Sequence, residues 1–281
     1  MTTTTTTPQP VATLPDGDAT GSGFLTATGQ TTRRTLLQFL RTPQLLFLPT
    51  ILGAMFLFIF RYIFGGAIDT GTAVDYVDFL VPGFLVATIL WTGMGVPAGV
   101  AEDATSGVHD RLRSLPIPRS AVMAGRSLAD TALNSWALLV TAALGLAVGF
   151  RTHGDPGAVA VAIALLLVAE YAFSWVFVSL GLVAGNAQSA QGLATLVVVP
   201  LTFVSSAYVP LHSMPGWMQS FAANQPVTVI INAVRSLMLG GTTPAGIGHS
   251  TAYWVTLSLV WCAGITVVFA SLAVARFSRT R

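Results

Sequence analysis

The chain has 281 residues, 53% hydrophobic and 9% charged, with a formal net charge of +2. Soluble domains carry about 25% charged residues, so the composition excludes a water-soluble globular protein, and the small net charge offers nothing to nucleic acid. Apolar runs of about 20 residues recur, the length that crosses a bilayer as a helix, while the alternating segments of about ten residues that build a membrane β-barrel are missing. The fold class is therefore an all-α integral membrane protein.

Residues 1–23 are rich in Thr, Pro and Gly and read as a disordered tail. Residues 24–43 mix Arg33, Arg34 and Arg41 with Leu36, Leu37, Phe39 and Leu40. That mixture is too polar to span and reads as an amphipathic helix in the headgroup region. A six-span transmembrane domain follows over 44–281, with apolar runs at 44–65, 79–100, 127–149, 158–184, 191–210 and 251–274. A run of about 22 residues covers roughly 33 Å, enough for a hydrocarbon core of about 30 Å.

Every basic residue is an arginine. Arg33, Arg34, Arg41, Arg111, Arg113, Arg119, Arg126, Arg276, Arg279 and Arg281 fall on one side of this layout, and only Arg61, Arg151 and Arg235 fall elsewhere. The positive-inside rule then makes both termini and the 101–126 loop cytoplasmic. The 66–78 loop, with Asp69, Asp75 and Asp78, lies outside. Segment 211–250 holds a short apolar stretch, 227–239, interrupted by Asn232 and Arg235. It reads as two short interfacial or re-entrant helices on the outer side before the last span, broken at Asn224-Gln225-Pro226, with Trp217 suited to the membrane interface.

Glu170 is an acid in the middle of the fourth run, where an ionised carboxylate costs about 3 kcal/mol on insertion scales. It is a candidate for the substrate path or gate, and equally for a packed structural residue. Arg61, near the outer end of the first run, can snorkel. Trp91, Phe203 and Asn224 complete the candidate path or gating set. Asp130 and Asn134 share a face of the third run, as helix-packing polar residues do. In the second run Pro82 and Pro97 can kink the helix, and Gly93, Gly95 and Gly99 allow close approach. Cys262 reads as a packed apolar side chain.

Catalytic motifs are missing. A P-loop needs a lysine to reach the phosphates, and the chain has none. There is no H-E-x-x-H, no cysteine pair and no G-x-S-x-G, and His109, His153, His212 and His249 lie on separate loops. The chain reads as a non-enzyme that binds no metal, and any ATP that drives it must bind another polypeptide. Against this background the stretch EDATSGVHDRLRSLPIPRS, residues 102–120, gathers Glu102, Asp103, Asp110, Arg111, Arg113 and Arg119. A short cytoplasmic helix of about 102–114 would turn Asp110, Arg111 and Arg113 outward and offer Val108, Leu112 and Leu115 to a groove on a partner. Pro116 and Pro118 would stop it. The plainer reading is a charged loop that only fixes orientation.

Two stretches carry a family resemblance. TSGVHDRLRSLPIPRSAVMAGRSLAD, residues 105–130, and SSAYVPLHSMPGWMQSFAANQPVTVIINAVRSLMLGG, residues 205–241, resemble the permease subunits of type-two ATP-binding-cassette exporters. Within these they most resemble the daunorubicin-resistance-type drug-export permeases of actinobacteria. The resemblance implies a half-transporter of the bacterial plasma membrane that forms a homodimer in membrane lipid. It would bind two copies of a separate ATPase subunit, which holds ATP and Mg, and export hydrophobic or amphiphilic compounds such as drugs or lipids. It also implies that Glu102, Asp103, Gly107, Val108, Asp110, Arg111, Leu112, Arg113, Pro116 and Arg119 form the surface coupled to that ATPase. The alternative is an ion- or proton-coupled secondary transporter working through Glu170.

Overall fold

The computed structural model describes residues 44–68, 75–105, 119–240 and 248–279, with positions 26, 28–30, 32, 33 and 37 before them. The described residues are helical, with short turns between. In chain order the helices are α1 (Gln44–Ile59), which widens into a π turn at Phe60–Phe64, α2 (Tyr76–Gly93), α3 (Val96–Thr105), α4 (Arg119–Ala147), α5 (Pro156–Val183), α6 (Ala187–Phe203), α7 (Gly216–Asn224), α8 (Pro226–Leu239) and α9 (Thr251–Arg279). Four stretches among the described residues are long and apolar enough to cross a membrane: Tyr76–Asp103, Met123–Ala147, Pro156–Val183 and Thr251–Arg276. Shorter apolar helices lie at Gly53–Phe64, Ala187–Phe203 and Pro226–Leu239. The tail at 1–23 and the connection at 106–118 lie outside the described residues.

Local chemistry sets several boundaries. The Asp155 carboxylate accepts from the Ala158 amide at 2.8 Å and Pro156 takes the first position of α5, so one amide at this helix start is capped and another is absent. Asn186 does the same for α6 through the Ser189 amide, also at 2.8 Å. The second apolar run breaks at Met94 and Gly95. Pro97 has no N–H to offer the Gly93 carbonyl, and the helix restarts at Val96.

Two helices differ from the outlines of their apolar runs. The helix of the third run begins at Arg119, immediately after Pro118, well before residue 127. That of the fifth run ends at Phe203 rather than 210. Beyond it the Ser205 hydroxyl donates to the Thr202 carbonyl at 2.6 Å and accepts from the Ala207 amide at 3.2 Å, a local alternative to the helical ladder.

Helix α5 is the central element and packs against α2, α3, α4, α6, α8 and α9. Helix α8 is shorter than a membrane crossing, about 21 Å, yet every residue from Val227 to Leu239 is buried. It lies against α2, α5 and α9, and the amides of His153 and Gly154 meet its last turn at the Met238 carbonyl, each at 2.9 Å. Gly240 ends it with φ +61°, a conformation that suits glycine. Helix α7 stays on the surface, with Trp217 and Phe221 exposed, and joins α8 through Gln225.

Candidate functional site

The connection between α3 and α4 is fastened at its base. Asp103 stands in the last turn of α3 and Arg126 near the start of α4. Arg126 Nη1 donates to Asp103 Oδ2 at 2.6 Å, and its Nε reaches both oxygens of Asp130, one turn further along α4, at 3.2 and 3.1 Å. One guanidinium therefore bridges a carboxylate on each helix, using its fork geometry. Gly99 makes room for it, since a Cβ there would sit 2.8 Å from Arg126 Nη2. The N-terminal segment meets the same end of the molecule, where the Thr32 hydroxyl is 3.0 Å from the Gly125 carbonyl.

Of the residues assigned to partner coupling, Glu102 and Asp103 close α3, with Glu102 exposed, and Arg119 opens α4. Gly107, Val108, Asp110, Arg111, Leu112, Arg113 and Pro116 lie outside the described residues. Sequence reading gave Arg126 only an orienting role and Asp130 only a packing role. The i,i+4 spacing of the two was the available signal, but nothing in it points to Asp103.

The path or gating candidates separate into different places. Trp91 and Phe203 come together around Tyr208, which sequence reading missed. Trp91 Nε1 donates to the Tyr208 hydroxyl at 3.0 Å, and the Tyr76 hydroxyl donates to the Tyr208 carbonyl at 3.0 Å. The ring of Tyr208 lies 4.7 Å from Phe60, 5.5 Å from Phe203 and 5.8 Å from Phe84, between centroids. Phe56 extends the group by stacking on Trp91. The outer members Phe56 and Phe203 are exposed, so the aromatic wall opens onto the face shared by α1, α2 and α6. Arg61 sits in the π turn with its guanidinium carbon 5.8 Å from the Tyr62 ring centroid. Asn224 is exposed at the end of α7, where its amide donates to the Ser220 carbonyl at 2.8 Å.

Glu170 is elsewhere, buried between α4 and α5, with the Ser135 hydroxyl 3.4 Å from its Oε2. A second buried charge, Arg235 on α8, is held without a carboxylate among the described residues. Its Nη2 donates to the carbonyls of Phe79 and Ser206, each at 3.0 Å, and its guanidinium carbon stands 3.8 Å from the Phe79 ring centroid. In the sequence this arginine looked like an interruption of an apolar stretch. In the structure it pins α8 to the start of α2 and to the turn after α6. Among the described residues no cluster of His, Cys, Asp and Glu could hold a metal ion.

These groups offer mechanical and binding chemistry. A charged bridge joins two helices at the root of a long connection, an aromatic wall reaches the surface, and buried polar groups lie in the core. Comparison with known proteins agrees with that character. The chain is similar to the daunorubicin resistance ABC transporter permease protein DrrB1 of Streptomyces coeruleorubidus, 34% identical over 85% of this chain and 81% of that protein. It is similar to the "Probable doxorubicin resistance ABC transporter permease protein DrrC" of Mycobacterium tuberculosis, 26% identical over 92% of this chain and 90% of that one. It is also similar to the inner membrane transport permease YadH of Escherichia coli, 26% identical over 70% of this chain and 76% of that one. The family model for the ABC-2 type transporter matches residues 26–239, a span that takes in the arginine bridge, the aromatic wall, Glu170 and Arg235. On that match the chain belongs to the ABC-2 type transporter family.

Proposed function

We propose that this chain is the permease subunit of an ATP-driven exporter of hydrophobic or amphiphilic compounds, with drugs the foremost class and lipids the next. The observation that carries this reading is the family match across residues 26–239, joined by relatives whose names specify daunorubicin and doxorubicin resistance. A chain without lysine has no P-loop, so hydrolysis falls to a separate ATP-binding-cassette subunit. Two permease copies and two ATPase copies make the working unit. In the bacterial plasma membrane the four long helices are joined as spans by α1 with its π turn and by α6. Both termini and residues 101–126 face the cytoplasm, and α7 and α8 form the re-entrant segment on the outer side.

The coupling step follows from the arginine bridge. A partner that moves the 102–120 stretch moves the ends of α3 and α4 together, because Arg126 ties Asp103 to Asp130. The two permeases meet along α1 and α6, and the aromatic wall of Phe56, Trp91, Phe203 and Tyr208 lines the cargo route between them. ATP shifts the equilibrium only as far as its differential affinity for the two states allows.

The test is ATP-dependent uptake of daunorubicin, followed by its fluorescence, into inverted membrane vesicles holding the permease and its ATPase. Replacing Arg111 and Leu112 by alanine should abolish the link between hydrolysis and uptake. Uptake that needs no ATP and vanishes in Glu170→Gln would identify a secondary carrier instead.

A further inference from the structure

Glu170 has surroundings that suit a neutral acid and not an ion. It is 2% exposed, its Oε2 has one hydroxyl, Ser135, at 3.4 Å, and its Oε1 is buried without a hydrogen-bond partner among the described residues. A carboxylate taken out of water requires several donors or a cation. Among the residues whose side chains are described, the charged groups on the helices packed against α5 provide neither. On α4, Arg126 is occupied by Asp103 and Asp130. On α8, Arg235 is occupied by the carbonyls of Phe79 and Ser206. Asp78 stands at the start of α2, Glu102 and Asp103 at the end of α3, and Arg276 at the end of α9, while α6 carries no charge. Asp130, on α4 with Ser135, has the same sign as an ionised Glu170.

A polar face of α4 leads to this carboxyl. Ser127, Thr131 and Ser135 are spaced four residues apart and so share one side of the helix. Thr131 donates to the Ser127 carbonyl at 2.8 Å and Ser135 to the Thr131 carbonyl at 2.7 Å. The Ser127 hydroxyl is buried with no partner among the described residues. Beside its start lie Asp130, Arg126 and then Asp103, whose side chain is 23% exposed. Over a rise of about 12 Å the face connects the edge of the molecule with its core.

We propose that Glu170 is a proton-binding site, loaded from the Asp103 end of the bundle along the hydroxyl face of α4. Hydronium at the edge of the bundle gives up a proton and becomes water, and that proton forms the O–H bond at Glu170 and cancels the carboxylate charge. Release breaks the same bond and returns the proton along the same face. The site goes beyond the export reading and does not depend on it.

The chain has two glutamates, Glu102 and Glu170, which makes the site readable. Full-length permease carrying 13C at the glutamate side-chain carboxyl is placed in lipid nanodiscs and followed by infrared spectroscopy, without ATPase or ATP. The expected result at neutral pH is a protonated-carboxyl band that moves with the label, persists in Glu102→Gln and is lost in Glu170→Gln. Ser135→Ala should shift that band by removing the hydroxyl partner of Oε2. Its exchange on transfer to D2O should slow severalfold in Thr131→Val, which keeps the shape and removes the hydroxyl. If Glu170→Gln does not fold, the Glu102→Gln protein still reports Glu170 as its sole glutamate. An ionised-carboxylate signal from that residue at neutral pH overturns the site. Unchanged exchange in both Thr131→Val and Ser127→Ala overturns the route.

Discussion

Arg126 lies 2.6 Å from the carboxylate of Asp103 while holding Asp130 at 3.1 Å on its other edge. The two acids are unequal, since Asp130 is 1% exposed and Asp103 23%. Replacing Arg126 by alanine leaves Asp130 buried and uncompensated, and should cost about 3–5 kcal/mol. Asp103→Asn removes the partly hydrated arm and should cost about 1 kcal/mol. Denaturant unfolding of the purified permease compares them, and equal losses would refute the unequal bridge.

Gly99 is the second handle on this bridge. A valine there places methyl groups where the Arg126 guanidinium now lies, so Gly99→Val should displace the arginine and lower stability by about 1–3 kcal/mol. The effects of Gly99→Val and Asp103→Asn should then fall short of additive by more than about 0.5 kcal/mol, as expected for substitutions that break one contact. Simple additivity in the double variant would show that the glycine does not seat the arginine.

Tyr208→Phe keeps the ring among Phe60, Phe84 and Phe203 and removes only the hydroxyl that accepts from Trp91. The loss should be about 1 kcal/mol of stability. If the aromatic wall lines the cargo route, the freed Trp91 ring should also raise the KM for ATP-dependent daunorubicin uptake by about fivefold, with kcat little changed. An unaltered KM together with the stability loss would confine the pair to a packing role.

Much of the architecture could be read from the sequence because membrane-length apolar runs are unambiguous. The runs containing Glu170 and Cys262 match α5 and α9 closely, and Asp155-Pro156 marks a helix start by its own chemistry. The end of α6 was hidden because Val204 to Pro210 continues an apolar composition, while the Ser205 hydroxyl that competes with the helix carries no compositional signature. Glu170 stood out as a lone acid in an apolar run. Its neighbour Ser135 did not, because a serine in a membrane helix is ordinary. The Asp103–Arg126 contact joins residues on different helices across a connection, so no local period encodes it. Tyr208 was invisible as a centre because its neighbours come from α2, α6 and the π turn after α1.

Arg235→Lys tests the other buried cation. A lysine keeps the charge but lacks the planar fork that faces both the Phe79 and Ser206 carbonyls and the Phe79 ring. The substitution should cost about 2 kcal/mol and loosen α8, seen as faster amide exchange at Val227 to Leu239. Exchange as slow as in the unaltered protein would show that helix packing alone holds α8.

The burial of α8 also orders events during biosynthesis. An isolated 14-residue helix with an arginine in it is a poor substrate for membrane insertion, being too short and too polar at its centre. Both acceptors of Arg235, the carbonyls of Phe79 and Ser206, belong to segments that leave the ribosome earlier. The chain therefore makes both partners of Arg235 before it makes α8, and α9, which also packs against α8, follows.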